Sequence, residues 1–213
     1  MTAQWFGDRA VLVSTDGPDA RERVAQTLEH QRESLGIDLL VRRGLHDVLV
    51  EAPAPDLRLL DAVREALARQ SSEGTQRPVQ PREHHIDVRY EGEDLASASA
   101  ALGVEVTALV EAHRRQVWRV AMLGFAPGFG YLEPVGDPTL EWSALDRLAA
   151  PRARVPRGSV AVAAGMSAVY PQDMPGGWHL IGVSTVVLFD PERSAQPSLL
   201  AAGDLVRFVE VES

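Results

Sequence analysis

Hydrophobic positions in the first third of the chain fall into short runs separated by two longer stripes of helical spacing. Apolar stretches around Ala10 to Val13, Ile37 to Val41 and Val48 to Val50 read as strands. Between the first two, Pro18 sits where a helix would begin. An apolar stripe of Ala20, Val24, Leu28 and Leu35 follows it, and Gly36 offers a stop. A second amphipathic stretch runs from Asp56 to Ala68, with Leu59, Leu60, Val63 and Leu67 on one face. Strands mixed with two one-faced helices predict a small α+β layer in which the helices cover one side of an antiparallel sheet.

The segment Gln70 to Arg82 (QSSEGTQRPVQPR) is polar, unperiodic and broken by Gly74, Pro78 and Pro81, so it reads as a linker. The boundary placed there divides the chain into residues 1–79 and 80–213. Beyond it, Ile86, Val88 and Tyr90 alternate with polar residues as in a half-buried strand. Short helices are expected at Leu95 to Leu102, ended by Gly103, and at Val106 to His113. Strands are then predicted at Val117 to Leu123, Ser159 to Ala164, Trp178 to Ile181, Val186 to Phe189 and Leu205 to Val209. Separated by Gly- and Pro-rich loops, they suggest a closed or sandwiched β architecture. No internal repeat is evident.

Composition narrows the chemistry. With 45% hydrophobic and 24% charged residues among 213, the chain has ordinary globular proportions. Its net charge of −9 argues against a nucleic-acid partner, which calls for a basic face. There is no cysteine, so disulfides, thiolate nucleophiles and Cys-based metal sites are excluded. All 21 basic residues are arginine, so the chain supplies no P-loop lysine, no Schiff-base lysine and no lysine for biotin. Asp8 and Arg9 interrupt the start before any apolar run forms, and no stretch approaches the ~20 apolar residues of a membrane helix. A cytoplasmic location is the expectation.

Three segments carry candidate chemistry. Gly124 to Leu132 (GFAPGFGYL) interleaves Gly124, Gly128 and Gly130 with Phe125, Phe129 and Tyr131, around Pro127. Such a loop could present successive N–H groups to an anion, or could be a tight corner stapled by its rings. Arg147 to Ser159 (RLAAPRARVPRGS) sets Arg147, Arg152, Arg154 and Arg157 among prolines. Stiffly held guanidinium forks suit a carboxylate or phosphate, although surface carboxylates compete for them. Tyr170 to Trp178 (YPQDMPGGW) contains a turn built by Pro175, Gly176 and Gly177 in front of Trp178. That ring either covers a ligand or enters the core, and Asp173 would act as an acid or base only if it faced a pocket. His84 and His85, adjacent on a strand, point to opposite sides and make a poor metal pair, so no metal site is expected. His113 ends a helix, where the dipole favours a cation. Ser159 lacks the setting of a nucleophile elbow.

Taken in order and spacing, GFAPGFGYL, PRARVPRGSVAVAAG and YPQDMPGGWHLIG resemble the allophanate hydrolase subunit 1 family, which includes the B-type subunit of 5-oxoprolinase and the kinase inhibitor KipI. Gly7-Asp8-Arg9-Ala10, YEGEDL at Tyr90 to Leu95, His113 and Ala202-Gly203-Asp204 add to the likeness. The resemblance implies a ferredoxin-like N-terminal domain followed by a cyclophilin-like β-barrel. It also implies ATP-dependent opening of 5-oxo-L-proline to glutamate. The companions implied are a second chain, of the allophanate hydrolase subunit 2 or 5-oxoprolinase C type, and a third 5-oxoprolinase component. ATP would then be bound by the complex rather than by this chain alone. On that reading, Arg152, Arg154 and His113 are the catalytic candidates, the arginines by the chemistry of their side chains. The substrate-binding candidates are Gly124, Phe125, Pro127, Gly128, Phe129, Tyr131, Arg147, Ser159, Tyr170, Pro175, Gly176, Gly177 and Trp178. Two other roles occur in the family: carboxyltransferase component of a biotin-dependent urea amidolyase-like system, and KipI-like inhibitor of a histidine kinase. The chain departs from the family pattern at Val183-Ser184-Thr185, where relatives carry Arg-Thr-Pro, and at Asp146, Met166 and Ala168.

Overall fold

A computed structural model describes residues 1–32, 36, 38–72, 81–193 and 196–212. The chain divides into two compact units, Met1–Gln80 and Pro81–Ser213. In the first unit the elements are β1 (Thr2–Trp5), β2 (Ala10–Ser14), α1 (Pro18–His30), β3 (Leu40–Arg43), β4 (Asp47–Glu51) and α2 (Leu59–Ser72). The strands form an antiparallel sheet in the order β1-β2-β4-β3. Alternation puts Val11, Val13, Val48 and Val50 on one face, where Val24, Ala25 and Leu28 of α1 and Leu59, Val63, Ala66 and Leu67 of α2 bury against them. Across the sheet margin, Arg43 of β3 forks onto Glu22 at 3.0 Å and Glu29 at 2.6 Å, tying that strand to α1.

Several boundaries move. Asp56 precedes α2 as its cap: its carboxylate accepts the Arg58 N–H at 2.9 Å and its carbonyl the Leu59 N–H at 3.0 Å. The second helix therefore starts three residues later than its polar signal suggests, and it runs on through Ser72 into the stretch read as linker. Residues 73–80 of that linker lie outside the described residues, as do Leu35 and Ile37. The first helix closes at His30, short of Gly36. Strand β1 has no alternation to announce it and exists by pairing with β2.

The second unit contains β5 (Glu83–Val88), α3 (Leu95–Ala101), α4 (Val106–Arg115), β6 (Trp118–Leu123), β7 (Gly130–Pro134), a 3₁₀ turn at Trp142–Ala144, β8 (Arg152–Val155), β9 (Ser159–Ala163), β10 (Met166–Val169), β11 (Met174–Gly176), β12 (His179–Val183) and β13 (Leu205–Glu210). Seven strands pair in the order β12-β9-β10-β7-β6-β13-β5, parallel only between β13 and β5. The two edges are joined past the end of β5, where Arg89 and Val183 exchange backbone hydrogen bonds of 2.9 and 2.8 Å. The sheet is thus a nearly closed mixed barrel. Strands β8 and β11 form a separate two-stranded ribbon.

Strands β9 and β10 form a wall between two cores. Val160, Val162 and Val169 point into the barrel with Trp118, Trp142 and Phe208, while Ala161, Ala163, Ala168 and Tyr170 point to the other side. The hairpin joining them turns on Ala164 and Gly165, with φ of 49° and 81°, a type I′ pattern built without the usual Asn-Gly. That missing signal is why β10 was not expected. The segment Val186 to Phe189, expected as a strand, is irregular apart from a single bridge between Phe189 and Ser198. Its Leu188 carbonyl accepts the Leu199 N–H of a loop, and no strand edge continues the pairing.

Glycine geometry separates positions that need only a backbone conformation from positions that also need space. At Gly158, φ is 81° and an added Cβ would collide with the Ser184 carbonyl, whereas at Gly103, φ is 68° with open space around it. Gly158→Ala is expected to destabilise the protein by about 3 kcal/mol or more, and Gly103→Ala by about 1 kcal/mol. Chemical denaturation of the two variants side by side checks this.

Candidate functional site

The three sequence segments meet on the outer side of the β9–β10 wall. Phe129 is buried and lies edge-on to Tyr131 at 5.0 Å, Tyr170 at 5.5 Å and Trp178 at 6.1 Å; Tyr131 reaches Trp178 at 6.0 Å. Val155 of the arginine segment packs in the same cluster, over Ala161, Ala163 and Ala168. Alanine at those positions leaves room for the rings. Gly176 lies where any side chain would strike the Tyr170 hydroxyl, and Gly177 rests on Pro151, so the Pro-Gly-Gly turn is shaped by what it covers. Trp178 is a buried cluster member. Pro127 and Pro175 lie on the exposed side, and Phe125 turns outward with 62% of its surface exposed.

The arginines have diverged. At the start of β8, Arg152 donates from Nη2 to both oxygens of Asp94 at 2.7 and 2.8 Å, and its Nε meets Glu93 at 2.7 Å. Asp94 is only 8% exposed and also accepts the Leu180 N–H at 2.7 Å. Arg154 donates to Asp173 at 2.9 Å, and Asp173 accepts the Arg157 backbone N–H at 2.8 Å. These two bonds, the backbone one first, hold the Asp173 carboxyl below its ordinary range, so it is an ionised loop staple rather than an acid or base. Among the described residues, the Arg147 and Arg157 guanidiniums have no carboxylate partner. Burial pushes the Tyr170 phenol up, opposed by a hydrogen bond from the Trp178 N–H and by the positive charge of Arg147 and Arg152. The result is a ring platform edged by one exposed and one anchored guanidinium.

Two candidates lie elsewhere. The Ser159 hydroxyl donates to the Pro156 carbonyl at 2.7 Å and serves its turn. His113 is fully buried on the barrel side of the wall, stacked on Phe208 at 4.4 Å, with Tyr90 at 2.8 Å from Nδ1 and Ser167 at 2.9 Å from Nε2. Burial lowers its pKa to about 3, so it is neutral and not the helix-end cation expected. Tyr90 donating to Nδ1 and Nε2–H donating to Ser167 satisfies both ring nitrogens. Among the described residues no group of three or more His, Asp or Glu side chains is placed to hold a metal ion. No single described helix is long and apolar enough to cross a membrane.

Sequence reasoning missed Asp94, Glu93 and Ser167. Asp94 precedes α3 and looks like a helix cap, yet its carboxylate makes no capping bond and turns to Arg152 instead. The available signal was its place in YEGEDL, where Gly92 packs against the Leu180 carbonyl with no room for a side chain.

The barrel wall thus carries the ring cluster and the arginine ribbon on its outer face. The family model for the carboxyltransferase domain, subdomain C and D, matches residues 1–200. The chain belongs to this family, in the branch that holds the B-type subunit of 5-oxoprolinase and allophanate hydrolase subunit 1. It is similar to the 5-oxoprolinase B-type subunit of Escherichia coli O157:H7, with 39% identity over 78% of this chain and 75% of that protein. The corresponding protein of Bacillus subtilis (strain 168) is 38% identical over 59% of this chain and 52% of its own length. Among solved structures, TTHA0988 superposes with a TM-score of 0.74 at 35% identity, covering 96% of this chain but 40% of that one. The Kluyveromyces lactis urea amidolyase, at 16% identity and a TM-score of 0.72 over 98% of this chain and 15% of its own, shares the fold.

Two outcomes follow from the site's electrostatics. Arg152→Ala leaves Asp94 buried without its counter-ion and is expected to destabilise by about 3 kcal/mol, while the double change with Asp94→Asn recovers part of that loss. Equilibrium unfolding of the single and double variants measures it. For His113 the folded pKa of about 3 lies below the unfolded value of 6.5, so the unfolded state binds the extra proton. Its contribution is intact above pH 6.5 and falls by roughly 1.4 kcal/mol per pH unit from there toward pH 3. His113→Gln is expected to be less stable at pH 7 but to lose about one proton from the slope of unfolding free energy between pH 6 and pH 4.

Proposed function

We propose that this chain is the B-type subunit of an ATP-dependent 5-oxoprolinase, active only with partner subunits, in which water is added across the lactam C–N bond of 5-oxo-L-proline to give glutamate. The observation that carries the reading is the 39% identity to a 5-oxoprolinase B-type subunit over most of both chains. The convergence of the three shared segments on one ring-and-arginine platform supports it. A small cyclic amide bearing one carboxylate suits such a place: the partly exposed Tyr131 ring offers an apolar contact and Arg147 an exposed fork, while Phe129, Tyr170 and Trp178 lie beneath as buried support.

A nucleoside triphosphate finds few partners among this chain's described residues beyond the Arg147 and Arg157 guanidiniums. Arg152 and Arg154 are neutralised by Asp94, Glu93 and Asp173, and the chain has no lysine. In this reading ATP is handled by the companions, a 5-oxoprolinase C-type subunit and a third component, and this chain binds and orients the lactam. A cytoplasmic location accompanies the reading. The strand order β1-β2-β4-β3, with helices after β2 and β4, supports taking the first unit as a ferredoxin-like layer with its last strand moved to the start. The nearly closed barrel supports the cyclophilin-like description of the second.

The test is ADP release by the complex of this protein with its companion subunits, with and without 5-oxoproline. Stimulation by 5-oxoproline is expected. Arg147→Ala is expected to raise KM for 5-oxoproline about tenfold with a smaller change in kcat, as for a group that binds substrate and transition state alike. A stable, complete complex that ignores 5-oxoproline would overturn the reading in favour of another amide substrate.

A further inference from the structure

Phe125 carries two unfavourable features at once. The Ala126 N–H donates to the Gly124 carbonyl at 2.8 Å, and Phe125 between them has φ 70°. This is a γ-turn of the rare, strained positive-φ kind, and for a bulky residue that region is an outlier. The strained residue then exposes 62% of its surface, its ring touching Phe129 at 5.4 Å. The loop beneath is rigid: Gly124 N–H bonds to Phe129 C=O at 3.1 Å, and Phe129 N–H to Ala126 C=O at 3.0 Å. Gly128 is wedged so tightly that an added Cβ would lie 2.8 Å from Phe189 Cβ. A strained conformation held in place by its surroundings points toward a use for it.

Phe125 also has company. Leu123 is 40% exposed at the foot of the loop, paired with Gly130, and on the far side of Gly128 the side chains of Val187 and Phe189 are 38% and 36% exposed. No charged residue occurs in 120–132 or in 183–189, on a chain of net charge −9. Large uncharged side chains exposed around an aromatic on neighbouring segments are what the core of a protein interface looks like.

Resting on the 5-oxoprolinase reading above, we propose that Leu123, Phe125, Val187 and Phe189 form the docking face for the companion chain that carries the remainder of the carboxyltransferase domain. The family model that this chain matches describes subdomains C and D of that domain. In TTHA0988 and the urea amidolyase the counterpart of this chain fills 40% and 15% of a longer chain, so the same unit is joined there to further protein. A durable, apolar interface suits a permanent companion better than a passing one. The loop is placed to serve both sides: Phe125 faces outward to the companion while Phe129 and Tyr131 face the ring platform.

The test is sedimentation of the full chain with a 5-oxoprolinase C-type subunit, alongside melting of the isolated protein. Phe125→Asp is expected to weaken association by roughly 30-fold or more. Leu57→Asp, at an 88% exposed site of the other unit, should leave it unchanged. Phe125→Gly accepts φ 70° without strain, so the isolated protein should melt no lower than the parent while binding is still weakened. Association of a Phe125→Asp, Phe189→Asp double variant within twofold of the parent would overturn the docking face alone. Failure of the unaltered chain to associate would overturn the 5-oxoprolinase reading and the named occupant together. A parent chain that is itself a dimer, split by Phe125→Asp, would assign the patch to a second copy and overturn the proposal.

Discussion

The buried carboxylate of Asp94 sets the frame on which the site is built. A charge removed from water must be met by an opposite charge and by hydrogen bonds, and Asp94 has both in the Arg152 guanidinium and the Leu180 N–H. Meeting those demands pins the turn at 91–94 against β12, forces glycine at Gly92 beside the Leu180 carbonyl, and draws the start of β8 to the same place. The guanidinium of Arg152 also lies 3.5 Å from the Trp178 carbonyl, so the Pro-Gly-Gly turn is registered from the same point. An arginine that reads as an anion grip is in this way an internal strut, and the positive charge left for a ligand is that of its neighbours.

The second constraint is the division of labour across β9 and β10. Both strands are buried on both faces, and side-chain size rather than polarity distinguishes the faces. Valines fill the barrel, and alanines on the opposite side make shallow ground for Phe129, Tyr170 and Trp178. His113 is held on the barrel side with Ser167, where it satisfies Tyr90 and a strand hydroxyl without carrying charge. The wall thus separates two polar devices: the neutral histidine network stabilises the barrel, and the Asp94–Arg152 pair shapes its outer surface.

Few charges on the outer face of the wall are uncommitted: the chain has no lysine, and Arg152 and Arg154 are matched by Asp94 and Asp173, while Phe125 turns outward. The same economy explains why a short uncharged loop can be rigid on one side and sticky on the other. Its backbone is closed on itself, and only its side chains are divided between inside and outside.

Local pattern alone determined the strands β2, β4, β5, β6, β9, β12 and β13 and the start of β3, the four helices within a few residues, and the three candidate segments. Each rests on a signal confined to neighbouring residues: alternation, helical spacing, or turn chemistry. Strands β1, β7, β8, β10 and β11 were decided by tertiary structure, because their residues lack alternation and become strands only when a partner edge satisfies their backbone. So too were the meeting of the three segments, the capture of Arg152 by Asp94 across 58 residues, and the burial of His113. Burial and pairing are properties of the surroundings a residue acquires on folding, and nothing in its immediate neighbours records them.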